Sequence, residues 1–194
     1  AESEGGPTLN IPFWQRDYDW GEEQIDNFLS SVLKAAQSKT DLYLGTLVFG
    51  IHSRHPDKVL VIDGQQRLRS IQNLLIRSRK FFGDDVHSAV LPLFHGLGEA
   101  ERPIQTDEAV EASLSSDEQR KVFSLDSLKS KGFDKTPPEA WLTCLKFRVV
   151  LTRFEKDDEV GKDPFDVVMS NLFANVNRQA KPLDDIDVVK AKLL

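Results

Sequence analysis

Sulfur is scarce in this 194-residue chain, which contains one cysteine and one methionine. A single cysteine, Cys144, excludes an intrachain disulfide. No apolar run approaches the roughly 20 residues that a membrane span needs. The first ten residues lack the basic start and the apolar stretch of a signal peptide. We therefore expect a protein without a membrane partner, in a reducing cytoplasmic setting.

Positive charge is also in short supply, because the formal net charge is −6. A chain built for non-specific DNA binding is usually basic. Residues 67–80 are the exception, with five basic residues and no acidic one. Such a run is commonly a solvated helix face, but it also fits a local anion-binding strip. Within it Arg69 and Arg77 are candidate DNA contacts, together with Tyr18 from an aromatic stretch.

Hydrophobic spacing predicts the first elements. A helix is expected over about residues 20–38, with Asp19 as N-cap and Glu22 completing a capping box. β-Branched and aromatic residues predict strands at 42–51 and 58–62, with a turn between them.

A second helix is expected after Asp63-Gly64, ending before Gly83. Residues 96–119 are acidic and poor in large apolar side chains, which is typical of a surface insertion. The other predicted elements are strands at 90–94 and 145–154 and helices at 164–176 and from 184 onward.

The segment from Val59 to Leu68 places a turn between a strand and a helix. A helix N-terminus presents unpaired N–H groups and a partial positive charge, so it favours anions. Gly64 permits a ligand to approach the backbone closely, and Arg67 can donate two hydrogen bonds to a phosphate. The alternative is that Asp63 simply caps the helix. A Walker loop is excluded, because no second glycine is followed by lysine and serine or threonine.

Two other segments carry polar groups suited to a ligand. Residues 11–20 combine four aromatic residues with Arg16 just before a helix, a set that can stack on a base or flank a phosphate. A packed aromatic corner is the alternative. Asn177 lies where a helix should end, and Asp187 and Lys190 share a face of the next helix. A surface ion pair explains the latter equally well.

Taken in order, these segments resemble the N-terminal domain of GmrSD-type modification-dependent restriction endonucleases. That domain shares the ParB/sulfiredoxin-like fold. Three positions depart from the family pattern: Arg69-Ser70 stands where two threonines are usual, and Ala180 where a glycine is. The matching residues are Ile11-Pro12, Gln15-Arg16, Tyr18, Trp20, Tyr43-Leu44-Gly45, Ile62 to Leu68, Asn177, Leu183, Asp187 and Lys190.

The resemblance implies binding, and in some members hydrolysis, of a nucleoside triphosphate (GTP, ATP or CTP) with Mg²⁺. It also implies DNA, modified or unmodified, as a partner, and control of a separate HNH-type nuclease domain. Sulfiredoxin chemistry is excluded, because the turn has no cysteine. The implied catalytic residues are Asp63, which would position a metal or water, and Gln65. The implied nucleotide-binding residues are Gln15, Arg16, Gly64, Gln66, Arg67, Asn177, Asp187 and Lys190.

We therefore expect an α+β fold, ParB/sulfiredoxin-like, with a small mixed sheet flanked by helices and a more helical C-terminal lobe. Residues 1–95 would form the nucleotide-binding core and 96–140 a variable insertion. Residues 141–194 would complete the site and continue beyond the chain end. Two rival functions stay open, a non-catalytic DNA-reading module and a ParB-like domain with its own nuclease activity. The sequence also leaves open the formation of a homo-oligomer.

Overall fold

A computed structural model of the chain describes residues 8–11, 17–52, 55–83 and 111–154. The strand expected at 90–94 and the two helices expected after residue 163 lie outside these ranges. Among the described helices, none is both long enough and apolar enough to cross a membrane.

The described strands form one mixed sheet of four strands. Their bounds are β1 (Thr8–Asn10), β2 (Leu42–His52), β3 (His55–Asp63) and β4 (Leu145–Phe154), and their order across the sheet is β1-β3-β2-β4. The central pair, β2 and β3, is antiparallel, whereas β1 and β4 each run parallel to their neighbour. With its flanking helices, this sheet confirms the expected α+β class.

Both central strands are close to their predicted positions, but β3 is longer than expected. The predicted strand began at residue 58, whereas β3 begins at His55. The cause is pairing: β2 and β3 remain paired, through a register shift after Ile51, as far as the pair His52 and His55. Residue 52 and residues 55–57, expected to lie in the turn between the strands, therefore belong to the strands themselves.

Two long helices pack beside the sheet, α1 (Glu22–Ser38) and α2 (Gln65–Phe82). The predicted cap of α1 is wrong, because its N-cap is Gly21 in an extended conformation, with no side-chain cap. Asp19 instead donates its backbone N–H to a side chain on α2. The backbone before α1 is thus held by a tertiary contact rather than by a local capping box.

Residues 111–142 form short helices that complete the core. Their elements are α3 (Asp117–Val122), α4 (Leu125–Lys131), a 3-10 turn (Phe133–Lys135) and α5 (Pro138–Leu142). Residues 111–140, part of the predicted insertion, thus contribute side chains to the core, while the predicted division at residues 96 and 140 stays a prediction. Each piece contributes one or two fully buried side chains, and a low density of apolar residues does not prevent that. Those side chains include Leu114, Phe123, Leu128, Phe133 and Trp141.

Candidate functional site

The candidate site lies where β3 ends and α2 begins. Gly64 joins the two elements with a left-handed backbone, φ +98°, and a Cβ atom there would overlap Cδ2 of Leu47. A glycine is therefore required at this position. The helix has no side-chain cap and no acidic residue in its first turn. The interpretation of Asp63 as the helix cap is consequently wrong.

Arg67 ties this turn to the neighbouring strand β2. Its Nη1 donates to the backbone oxygen of Leu44 at 2.6 Å, and its Nη2 lies 3.3 Å from Oδ2 of Asp63. Gly45 also has a left-handed backbone, φ +91°, and a Cβ there would lie 2.5 Å from Nη1 of Arg67. The Tyr43-Leu44-Gly45 strand and the Asp63–Arg67 turn, matched separately in the sequence, thus meet through one guanidinium group.

Gln66 ties the same turn to the segment that precedes α1. Its Nε2 donates to the backbone oxygen of Asp17 at 2.9 Å, and its Oε1 accepts from the N–H of Asp19 at 3.0 Å. Both polar atoms of this buried side chain are therefore used within the protein. Gln66 acts as a positioning residue for the aromatic stretch. Gln15 and Arg16, predicted to bind nucleotide, directly precede Asp17 in the sequence but lie outside the described residues.

Tyr18 lies inside the protein at 1% exposure. Its hydroxyl group lies 2.7 Å from Oγ of Ser70, which in turn donates to the backbone oxygen of Gln66. Burial is the main cause that raises the pKa of Tyr18 far above its usual value. The ring also contacts Trp20 and Phe123. This placement fits the packed aromatic corner and leaves no exposed surface of Tyr18 for the predicted DNA contact.

The turn is accessible to solvent along one edge only. Gly64, Gln65 and Gln66 are buried. The side chains of Asp63 and Arg67 keep 31% and 21% of their surface exposed. A ligand reaching the described part of the turn would therefore meet the Asp63–Arg67 edge first.

The family of the chain follows from a comparison with known protein families. A family model described as GmrSD restriction endonuclease, N-terminal domain, matches residues 2–194. The chain belongs to this family. A search of curated proteins finds no match. The predicted resemblance to the GmrSD N-terminal domain is confirmed, and the chain is part of a restriction protein. The ParB-like character of the fold stays a prediction.

This GmrSD domain uses one residue that the sequence interpretation missed. Gln119 on α3 is buried and donates from Nε2 to the backbone oxygens of Trp20, at 2.8 Å, and Tyr18, at 3.2 Å. Its Oε1 accepts from the N–H of Ser115 at 2.7 Å. The spacing of Ser116 and Gln119, which form a capping box, is the signal that would have marked this position.

The basic strip predicted along α2 is not a surface strip in this GmrSD domain. Arg69 and Arg77 are both buried, and Arg77 forms an ion pair with Glu111. Of the five cations, Lys80 is exposed, and Arg67 and Arg79 are half-buried. The placement of Arg69 and Arg77 does not favour the predicted DNA contacts, because buried guanidinium groups cannot reach a duplex without local unfolding.

Metal ligands do not cluster in the part of this GmrSD domain that the structure describes. Groups of three or more histidine, cysteine or carboxylate side chains were absent from those residues. The predicted late residues Asn177, Asp187 and Lys190 lie outside the described ranges.

Proposed function

We propose that this domain binds a nucleoside triphosphate at the start of α2 and hydrolyses it, and that the bound state controls a nuclease domain of the same restriction system. The observation that carries the proposal is the geometry of Gly64. Its left-handed backbone starts an 18-residue helix with no side-chain cap and no first-turn acid. Such a helix start attracts anions through its N–H groups and its dipole.

The half-exposed edge of the turn suits a phosphate chain. Arg67 uses its guanidinium to hold Leu44 and Asp63, yet this group has five N–H donors, more than these two contacts require. A phosphate approaching the edge would meet the remaining donors beside the helix start. Arg67 would then both shape the turn and contribute to binding.

The segment before α1 supplies the second wall in this proposal. The two hydrogen bonds of Gln66 hold the backbone of Asp17 and Asp19 against the turn. Gln15 and Arg16 are the next residues toward the N-terminus, so covalent connection keeps them within two residues of this anchor. We assign them to the phosphates or the base, with Asn177, Asp187 and Lys190 completing the site from the late segment.

Asp63 fits a role in holding Mg²⁺. One of its oxygens contacts Arg67, and its side chain is 31% exposed. Magnesium is commonly held by one or two carboxylates together with phosphate oxygens and water, so a lone carboxylate is sufficient when a triphosphate is present. Bound Mg²⁺ would supply charge neutralisation of the phosphates. Gln65, the first residue of α2, is the candidate to orient the attacking water.

The test is nucleotide binding by calorimetry, with GTP, ATP and CTP offered in turn, with and without Mg²⁺. We expect Arg16→Ala to weaken binding about tenfold to a hundredfold, the effect of losing one charged hydrogen-bond partner worth roughly 1.5–3 kcal/mol. Asp63→Asn should abolish the Mg²⁺ dependence and leave Mg²⁺-free binding unchanged. Lys34→Ala, at an exposed site on α1, is the matched control and should bind as the wild type does.

Arg67→Ala is a poor test of this site, because the structure gives Arg67 a structural task. Losing its bond to Leu44 would disturb the turn itself. Thermal unfolding of every variant therefore accompanies the binding curves. Wild-type protein that binds none of the three triphosphates at millimolar concentration would refute the proposal, as would unchanged affinity in Arg16→Ala.

A further inference from the structure

Strand β4 ends the described sheet on one side. It pairs with β2 along its whole length and, among the described residues, with no other strand. One row of its backbone N–H and C=O groups therefore faces away from the sheet. An open row of this kind is a template for pairing with a further strand.

Apolar side chains continue from the core onto this open edge. In the register of β2 with β4, Leu47 lies opposite Val149 and Phe49 opposite Leu151, so each pair shares a face of the sheet. Leu47 is buried, yet Val149 and Leu151 are 58% and 59% exposed. The face that forms the core thus reaches solvent at β4. Side chains of this size are normally covered when they lie side by side at an edge.

The same strand carries one sign of charge only. Its sequence includes Lys146, Arg148 and Arg153 and no acidic residue, in a chain whose net charge is −6. Lys146 lies 3.5 Å from Asp41. In the described part of the chain, Arg148 and Arg153 are exposed and form no ion pair. The edge is therefore locally basic as well as apolar.

We propose that β4 is the docking site for an acidic, extended segment of a partner protein, which adds to the sheet as a fifth strand. Backbone hydrogen bonds would give the affinity, and alternate side chains the specificity. Apolar side chains of the partner would cover Val149 and Leu151. Acidic ones would pair with Arg148 on the opposite face and with Arg153 beyond Leu151.

Two other occupants fit the edge less well. A second copy of β4 would bring three further cations and no acidic residue to the edge, and like charges on neighbouring strands are unfavourable. DNA would satisfy the cations, but a phosphate backbone neither covers Val149 and Leu151 nor pairs with the row of amides. An acidic strand satisfies all three features together.

The experiment uses the full chain and two capped ten-residue peptides. One alternates glutamate with valine but has glutamate at both ends, which places an acidic side chain on each face, and the other has lysine in place of each glutamate. Fluorescence anisotropy measures binding, and hydrogen exchange measures protection of the amides of residues 145–154. We expect the acidic peptide to bind and to slow exchange in β4, and the basic peptide to do neither. Raising the salt concentration should weaken binding, because exposed charges contribute to it.

Two sets of variants test the assigned residues. The double reversal Arg148→Glu with Arg153→Glu should lower affinity at least tenfold. Its matched control is Lys34→Glu with Lys129→Glu, which changes the net charge equally at exposed positions on α1 and α4 and should have no effect. Val149→Thr with Leu151→Thr keeps strand-forming residues while removing apolar surface, and should also weaken binding.

Several results would overturn the proposal. One is equal binding of both peptides, and another is unchanged affinity in the Arg148 and Arg153 reversal. A third is that the peptide slows hydrogen exchange only in residues outside β4. If neither peptide binds, the cations serve only to keep strands away from the edge. If duplex DNA binds and the peptide does not, with DNA binding lost in the reversal, the edge is a DNA contact.

Discussion

The two long helices, α1 and α2, have nearly the same length but opposite relations to water. Helix α1 buries one stripe of six residues, all of them apolar: Ile25, Phe28, Leu29, Val32, Leu33 and Ala35. Helix α2 buries 13 of its 18 residues, and eight of those are polar or charged: Gln65, Gln66, Arg69, Ser70, Gln72, Asn73, Arg77 and Ser78.

The polar composition of a helix is therefore a poor guide to its exposure to solvent when the helix runs through the middle of a domain. Several of the buried polar side chains of α2 bond to other segments, as Gln66 bonds to the backbone of Asp17 and Asp19 and Arg77 pairs with Glu111. Helix α1 buries apolar side chains only, and its ion pair between Asp26 and Lys131 involves side chains that are partly exposed. The same substitution should therefore cost far more stability on α2 than on α1.

The largest effect is expected where α2 begins. Gly64→Ala adds a Cβ that overlaps Leu47 and forces alanine into a left-handed backbone. We expect the free energy of unfolding to fall by roughly 2–5 kcal/mol, as strain and overpacking add. Chemical denaturation measures the loss.

Gly132→Ala is the matched control for the start of α2. Its φ of +103° is nearly the same, but a Cβ there would approach its nearest neighbour, Cδ2 of Leu33, only to an ordinary 3.9 Å. That variant should lose about 1–2 kcal/mol, the cost of the left-handed backbone alone. Equal losses in the two variants would show that the contact with Leu47 relaxes freely.

The next effect concerns the buried amide of α2. Gln66→Ala leaves the oxygen of Asp17 and the N–H of Asp19 without their partner. We expect a loss of roughly 2–4 kcal/mol, because two polar groups lose their hydrogen bonds. Gln37→Ala, at an exposed position on α1, should change stability by less than about 0.5 kcal/mol. A small effect of Gln66→Ala would mean that water replaces the amide.

A buried cation provides the third comparison. Arg77→Met removes the ion pair with Glu111, whose own side chain is 47% exposed. Solvent can compensate Glu111, so we expect a loss of only about 1–3 kcal/mol. Lys34→Met on α1 should be nearly neutral, since Lys34 is exposed. If Arg77→Met is neutral too, burial of this guanidinium contributes nothing to stability.

The smallest effect is the pH dependence of Tyr18. Its hydroxyl bonds to Ser70, and burial raises its pKa in the folded protein. Tyr18→Phe should therefore cost about 1 kcal/mol at neutral pH. A raised folded pKa contributes stability below the unfolded pKa of about 10, and that contribution is lost as the pH rises above it.

The advantage of the wild type over Tyr18→Phe should consequently shrink above about pH 10. Denaturation at several pH values measures this difference. The chain has only one other tyrosine, Tyr43, which is exposed. In a Tyr43→Phe background, absorbance at 295 nm should rise only when the protein unfolds. Ionisation of Tyr18 in the folded protein at pH 10 would contradict the assigned burial.

Local patterns predicted the elements well, because their causes are local. Alternation and β-branched residues marked β2 and β4, and apolar spacing marked α1. The Asp63-Gly64 break marked the start of α2 within a residue. The capping of α1 was wrong, since Asp19 bonds to Gln66, which is 47 residues away in the sequence. A short stretch of sequence does not contain both residues, so a local pattern could not predict this contact.

From the sequence alone, a glycine turn between a strand and a helix and the GmrSD N-terminal family could be predicted. Both predictions rest on short stretches of sequence: a left-handed backbone requires a particular residue type at one position, and the family motifs are runs of a few residues. The tertiary structure was needed to show that Arg67 reaches Leu44, that Gln66 and Gln119 hold the backbone around Tyr18, that Arg77 is buried, and that β4 ends the described part of the sheet. Those outcomes depend on which segments come to share a surface, and side-chain type constrains that choice only weakly.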